Sequence, residues 1–159
     1  MVKYRIGSGE LKRVLTATIE PDNDLLESIK EIAKNEGISA GIILSAAGSL
    51  KRANLRNVKV VPEHFPIKDI HRLWKVVDDR PLEILSLSGN ISKKNGGVEI
   101  HAHITVSTTI NGKIVVLGGH LVEGNITYVM VEIAIAELKG IKMIRALHPE
   151  RKAWELTFG

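Results

Sequence analysis

Three histidines are spaced so that their imidazoles could bind one metal ion. His101 and His103 are two residues apart in a segment, 99–107, in which polar and apolar residues alternate. In a β-strand this period places both imidazoles on one face. His120 follows Gly118-Gly119, and glycines permit the close backbone approach that would aim the next side chain inward. Three neutral imidazoles with an open fourth position suit zinc or another divalent ion, which could polarise a bound oxygen or acidify a water.

The histidine spacing has a simpler interpretation as well. A polar strand face can be exposed to water, with His101 and His103 as ordinary surface residues, and an isolated HxH pair is common. The chain has no Cys, which excludes thiolate ligands, disulfides and a cysteine nucleophile. Any metal site must therefore use His, Asp or Glu.

Glu132 is a carboxylate in the middle of an apolar segment, 126–138, which we expect to be a central strand buried on both faces. Three interpretations remain open for it. Glu132 could orient one of the histidines as a hydrogen-bond partner, act as the acid of a buried salt bridge, or mark a strand face that is a cavity or a subunit contact.

The formal net charge is +4, and much of the excess lies in four cations with no acid among them: Lys51, Arg52, Arg56 and Lys59. Such a cluster could contact the phosphates of nucleic acid. The alternative is a solvated strand and turn, because no aromatic residue is interleaved with these cations.

Several enzyme classes lose support because their motifs are absent. The chain has no G-x-S-x-G elbow, no phosphate-binding P-loop, no complete G-x-G-x-x-G and no H-E-x-x-H. The sequence identifies no catalytic residues and favours a non-enzymatic role.

The elements that must position these residues are mainly strands. Ile (20), Val (14) and Thr (7) make up about a quarter of the 159 residues, and this β-branched excess favours sheet over a helical bundle. The best helix is 24–36, where Asp24 and Glu27 form a capping pair and Gly37 supplies a stop. The predicted strands are 11–19, 41–50, 54–61, 82–91, 98–110, 113–117, 126–138, 141–147 and 153–158.

Two turns connect an antiparallel meander over 82–117, one at 94–97 and one at Asn111-Gly112, where a type I′ hairpin needs positive φ. Residues 62–81 are predicted to be a long loop with a short helix. With no linker or repeat, residues 1–159 are expected to form one domain. The absence of a membrane span or signal peptide predicts a cytoplasmic protein.

The ordered combination of motifs closely resembles the PPC (plants and prokaryotes conserved) domain, over almost the whole chain. The resemblance is carried by the strand containing Glu132 and by three segments: 81–90 (PLEILSLSGN), 101–104 (HAHI) and 118–124 (GGHLVEG). It implies an α+β fold with an antiparallel, barrel-like sheet, one main helix (about 24–36) packed on it, and assembly as a homotrimer.

In plants this domain accompanies an AT-hook, an Arg-Gly-Arg-Pro element that enters the minor groove of DNA. Here Arg80-Pro81 follows Asp79, so the chain resembles the free-standing prokaryotic form. Residues 80–85 match the plant family's partner-contact segment, which makes Arg80, Glu83 and Leu85 candidate partner contacts.

The PPC fold is similar to that of acetolactate decarboxylases, whose zinc is bound by three histidines, and His101, His103 and His120 match that pattern. The resemblance therefore predicts a small trimeric protein with a three-histidine site for zinc or another divalent metal and a DNA-associated or regulatory role. The alternative is a zinc-dependent lyase or hydrolase acting on a small oxo- or hydroxy-acid, although fold likeness alone does not establish catalysis.

Overall fold

A computed structural model describes residues 2–159, which form nine strands, one α-helix and one short 3-10 helix. Their bounds are β1 (Glu10–Ile19), α1 (Leu25–Asn35), β2 (Gly41–Val58), the 3-10 helix (Asp69–His71), β3 (Arg72–Val77), β4 (Leu82–Lys94), β5 (Gly97–Ile110), β6 (Lys113–Leu121), β7 (Ile126–Lys139), β8 (Met143–Leu147) and β9 (Trp154–Phe158).

The strands form one sheet in the order β1-β7-β2-β6-β5-β4-β8-β9, with β3 paired to β2. Because β2 pairs with both β6 and β4, the strands β2, β6, β5 and β4 close into a ring. Among residues 2–159 the strand pairings are antiparallel except for one parallel contact between β4 and β8. The predicted α+β class with a barrel-like sheet is therefore confirmed.

Strand β2 pairs with four strands, and its register with β7 shifts at three irregularities. At one of them Gly48 adopts φ +143°, and a side chain there would overlap the backbone of Met130 and Val131. Glycine, which has no side chain, allows β2 and β7 to approach this closely. The inner faces of the ring strands supply fully buried apolar side chains to a single core, among them Leu87, Ile91 and Ile104.

Helix α1 begins and ends where its caps predict. The Asp24 side chain accepts a hydrogen bond from the Glu27 backbone N–H at 3.1 Å, and Gly37 adopts φ +69° just beyond the last turn. Leu25, Ile29 and Ala33 are completely buried against the sheet. No helix among residues 2–159 has the length and apolar composition that a bilayer span requires.

The structure corrects three expectations about strands. The predicted strands 41–50 and 54–61 are one continuous strand, β2. The predicted loop 62–81 contains β3 as well as the 3-10 helix. Strand β3 was not predicted because it is mostly exposed and its residues do not alternate between buried and exposed positions. Strand β7 is not buried on both faces, since Tyr128, Val129 and Met130 are exposed.

Candidate metal centre and adjoining cavity

The alternation predicted for the histidine strand is present in β5. Ile100, Ala102 and Ile104 are buried in the core, while His101 and His103 point to the outer face. Strand β4 runs very close behind them, because a side chain at Gly89 would overlap the carbonyl oxygen of His101. The glycine thus permits the strand spacing that places the two imidazoles.

The hairpin between β5 and β6 brings the third histidine to the same place. Asn111 and Gly112 have φ of 50° and 71°, as the predicted tight turn requires, and the resulting register pairs His103 with His120. Gly119 permits the approach of β2, since its Cβ would lie 3.1 Å from the Arg56 carbonyl oxygen.

The three imidazoles converge. One ligand nitrogen from each of His101, His103 and His120 lies within 4.8 Å of the others, and His120 Nδ1 is 3.4 Å from His103 Nε2. Two nitrogens bound to one tetrahedral zinc at about 2.0–2.1 Å lie roughly 3.3–3.4 Å apart. The donor set and the spacing between His103 and His120 therefore fit a divalent ion.

Two of the histidines are held in the neutral form that binds metals. Burial, followed by the positive charge of Arg56, lowers the pKa of His120 to about 3. Burial is also the main cause that lowers the pKa of His101, with a smaller contribution from the charge of Arg145. A lone pair on each imidazole is thus free at neutral pH.

A cavity of about 790 Å³ adjoins the histidines, with His101 and His120 in its wall. Arg56 lies over the Trp74 ring, 5.6 Å from its centroid, and Arg145 enters from β8. Arg145 was not among the candidate site residues predicted from the sequence. A signal was present, because Arg145 occupies the same buried phase as Met143 in a short apolar strand.

The structure does not support a role for Glu132 in orienting a histidine. Glu132 is exposed, and its pairing partners are Thr18 and Ala47 on neighbouring strands. It lines a shallow concavity of about 460 Å³ on the outer face of β1, β2 and β7. Glu132 also forms no salt bridge with any of residues 2–159. The remaining interpretation is that Glu132 marks a cavity or a subunit contact.

The four clustered cations have different surroundings. Lys51 is ion-paired with Asp22, and Arg56 lines the cavity beside the histidines. Arg52 and Lys59 are exposed to solvent. The structure therefore does not gather the four into one phosphate-binding patch, and nucleic-acid contact through them stays a prediction.

The candidate partner contacts lie at the start of β4. Glu83 and Leu85 are exposed, Leu85 by 54%, between the buried residues Leu82, Ile84 and Leu87. Arg80 is ion-paired with Asp79 and donates from Nη1 to the Thr109 carbonyl oxygen at 3.3 Å. Glu83 pairs with Ser107 on β5, four residues beyond His103.

Comparison with known proteins identifies similar chains. The family model of the Plants and Prokaryotes Conserved (PCC) domain matches residues 6–139. A plant- and prokaryote-conserved (PPC) protein of Pyrococcus horikoshii is 32% identical, with a TM-score of 0.75 and coverage of 98% of this chain and 97% of that one. A metal-containing protein from Archaeoglobus fulgidus is 25% identical, with a TM-score of 0.77 and coverage of 97% and 99%.

A curated relative is much longer than this chain. The bifunctional protein GlmU of Synechococcus sp. (strain JA-2-3B'a(2-13)) is 30% identical over 148 residues, which are 93% of this chain and 20% of that protein. The chain thus spans about a fifth of the length of the curated relatives it matches.

Proposed function

The chain belongs to the Plants and Prokaryotes Conserved (PCC) domain family, and on that premise we propose that it is a metal-binding member of the family. His101, His103 and His120 are the ligands, and zinc is the ion that a set of three imidazoles suits best. The convergence of the three ring nitrogens within 4.8 Å carries the proposal. The metal-containing protein from Archaeoglobus fulgidus, which has the same fold, supports it.

The chain's own residues define what such a centre could do. A bound divalent ion would supply Lewis-acid polarisation of an oxygen ligand. The protein keeps His101 and His120 neutral by burial, and the strand register holds His103 opposite His120. His103 is exposed, while His101 and His120 line the cavity. A small molecule in the cavity can therefore approach the histidines from the cavity side.

Metal analysis of untagged protein tests the proposal. We expect one zinc per chain, and His103→Ala should weaken zinc binding by at least about 100-fold, since losing a ligand costs more than the 10–100-fold effect of disturbing a residue that orients one. His64→Ala is the matched control, because the side chain of His64 is 87% exposed and lies outside the cluster. Wild-type protein that binds no divalent ion would overturn the proposal.

A second candidate function is a zinc-dependent lyase or hydrolase acting on a small oxo- or hydroxy-acid. The cavity beside the histidines favours it, because its volume is in the range of small-molecule sites. A panel of such acids, incubated with the zinc-loaded protein and followed by product analysis, discriminates the two functions. Turnover that disappears in His103→Ala supports the enzyme, and the absence of turnover across the panel excludes it.

We also propose a homotrimer, the assembly that the family resemblance implies. Its contact surface would include apolar side chains that are exposed on β2, β4 and β7: Ile42, Leu44, Leu85 and Val129. Light scattering coupled to size exclusion should give a trimer mass for wild type and a smaller mass for Leu44→Asp. Val61→Asp, in the exposed loop after β2, is the control. A wild-type mass equal to one chain contradicts the trimer.

A further inference from the structure

Arg145 is a buried cation whose protein partners are all neutral. Its residue is 8% exposed, Nη2 donates to Asn90 Oδ1 at 2.8 Å, and Nε donates to Ser92 Oγ at 3.4 Å. Within residues 2–159 no carboxylate forms an ion pair with it. Burial lowers the pKa of Arg145, and the negative charge of Glu99, which is itself ion-paired with Lys94, offsets only part of that effect. A guanidinium removed from water without a counter-charge is costly, so such residues are usually paired.

Most of the other cations around the same cavity differ from Arg145 in having an ion-pair partner. Lys30, Arg72, Lys94 and Arg151 line it and pair with Glu27, Asp69, Glu99 and Glu155 respectively, while Lys152 lines it at an exposed position. Arg56 resembles Arg145 instead: it stacks on Trp74 and has no acid partner in the part of the chain described. Two guanidiniums that have no ion-pair partner among residues 2–159 thus line one cavity.

Both arginines are placed next to the histidines by strand pairing. Asn90, which holds the Arg145 guanidinium, pairs with His101 across β4 and β5. Arg56 pairs with His120 across β2 and β6. The two positive charges therefore flank the three-histidine cluster from different strands, and a small ligand in the cavity can contact an arginine beside the histidines.

We propose that this cavity binds a small oxyanion, a carboxylate or a phosphate group, with Arg145 as the main donor and Arg56 as the second. A guanidinium matches both groups because its N–H donors form a planar fork for two oxygens. After its two bonds to the protein, Arg145 retains N–H donors on Nη1 and Nη2 for such a ligand. The inference deepens the proposed metal-binding function: the placement of the oxyanion beside a metal ion rests on that function. Binding of the oxyanion by the two arginines does not require a metal ion.

Isothermal titration of malonate, glycolate and inorganic phosphate, each at constant ionic strength, tests the inference on metal-free and zinc-loaded protein. We expect saturable binding of at least one oxyanion to the metal-free protein, and tighter binding to the zinc-loaded form. Arg145→Gln should weaken binding by roughly 10- to 100-fold, the loss typical of hydrogen bonds to charged groups. The ranking of malonate, glycolate and phosphate separates a carboxylate ligand from a phosphate one.

Arg52→Gln is the matched control, since it removes the same charge from β2 at an exposed position outside the cavity lining. If Arg145→Gln does not fold, Arg56→Gln and Arg145→Lys take its place; Lys keeps the charge but loses the planar fork. Binding that is equal in wild type and the arginine variants, or no binding in either protein form, overturns the inference. Arginine-dependent binding in a protein that takes up no metal would sustain it and refute only the metal function.

Discussion

Two charged side chains are buried among residues 2–159, and their surroundings are opposite. Glu137 on β7 is 5% exposed and lies between two cations, with its carboxylate oxygens 2.8 Å from Lys12 Nζ and 2.6 Å from Arg13 Nε. Arg145 on β8 is 8% exposed and has only amide and hydroxyl partners. Among residues 2–159 the Glu137 carboxylate is ion-paired, and the Arg145 guanidinium is not.

The difference in ion pairing distinguishes Glu137, which stabilises the fold, from Arg145, which we propose binds a ligand. The ion pairs of Glu137 join β1 to β7 and are complete without a ligand. Arg145 faces a cavity beside three histidines, where a ligand can supply the missing negative charge. Burial alone therefore does not distinguish the two roles, whereas the identity of the partners does.

The largest effect is expected at the tightest contact in the histidine region. Gly89→Ala would place a Cβ against the His101 carbonyl oxygen, 2.6 Å from the Ala102 Cα. We expect a loss of about 3 kcal/mol in the free energy of unfolding and weaker zinc binding, since β4 must shift from β5. Urea unfolding and a zinc titration measure both. Gly97→Ala is the control, because its nearest neighbour would be 3.6 Å away. Equal behaviour of the two variants would refute the packing argument.

The next effect compares the two buried charges directly. Glu137→Gln should lower the free energy of unfolding by about 1 to 2 kcal/mol, less than a fully buried pair because Lys12 and Arg13 remain about half exposed and can turn to water. Arg145→Gln should change it by less than about 1 kcal/mol, because no opposite charge is left without its partner. Urea unfolding of both variants measures the contrast, and a larger loss for Arg145→Gln would show that Arg145 is structural.

A smaller effect appears as a function of pH. Hydrogen bonds from Lys12 and Arg13 lower the pKa of Glu137 below its usual 4.5. The stabilisation is therefore fully present above the unfolded-state pKa and is lost as the pH falls through the lower folded-state pKa. The difference in unfolding free energy between wild type and Glu137→Gln should be constant above about pH 5.5 and shrink below about pH 4.5. A difference that stays constant down to pH 3 contradicts the assigned pairing.

The smallest effect concerns charges that are fully in water. If the chain binds DNA, only Arg52 and Lys59 of the four clustered cations are exposed and outside both the cavity and the Lys51 ion pair. Replacing both with Ala should reduce the salt slope of binding by about 2, one counterion contact each. Fluorescence anisotropy over a salt series gives the slope. Wild-type binding with no salt dependence excludes phosphate contact through this cluster.

Much of the local structure is predictable from the sequence. The helix is marked by its Asp24 cap and its Gly37 stop, and the hairpin by Asn111-Gly112. The alternation around His101 and His103 correctly predicts one shared face. These signals are local, since caps, turns and strand periods depend on neighbours a few residues away.

The errors share a different cause. Strand β3 is held by pairing with β2 rather than by its own burial, so its sequence has no strand period. Glu132 lies in an apolar segment whose composition predicts burial on both faces, yet several residues of β7 are exposed within residues 2–159. Each outcome depends on which distant segment packs against the residue, and that information is not local.

The chemical groups available follow from the amino-acid sequence: three imidazoles, no thiols, an excess of cations, and a strand that places two of the imidazoles on one face. Long-range strand pairing brings His120 to those two imidazoles and places Arg56 and Arg145 beside them, while Glu132 pairs elsewhere. Strand register over long sequence separations sets which side chains meet, and those neighbours determine which buried charges have an ion-pair partner.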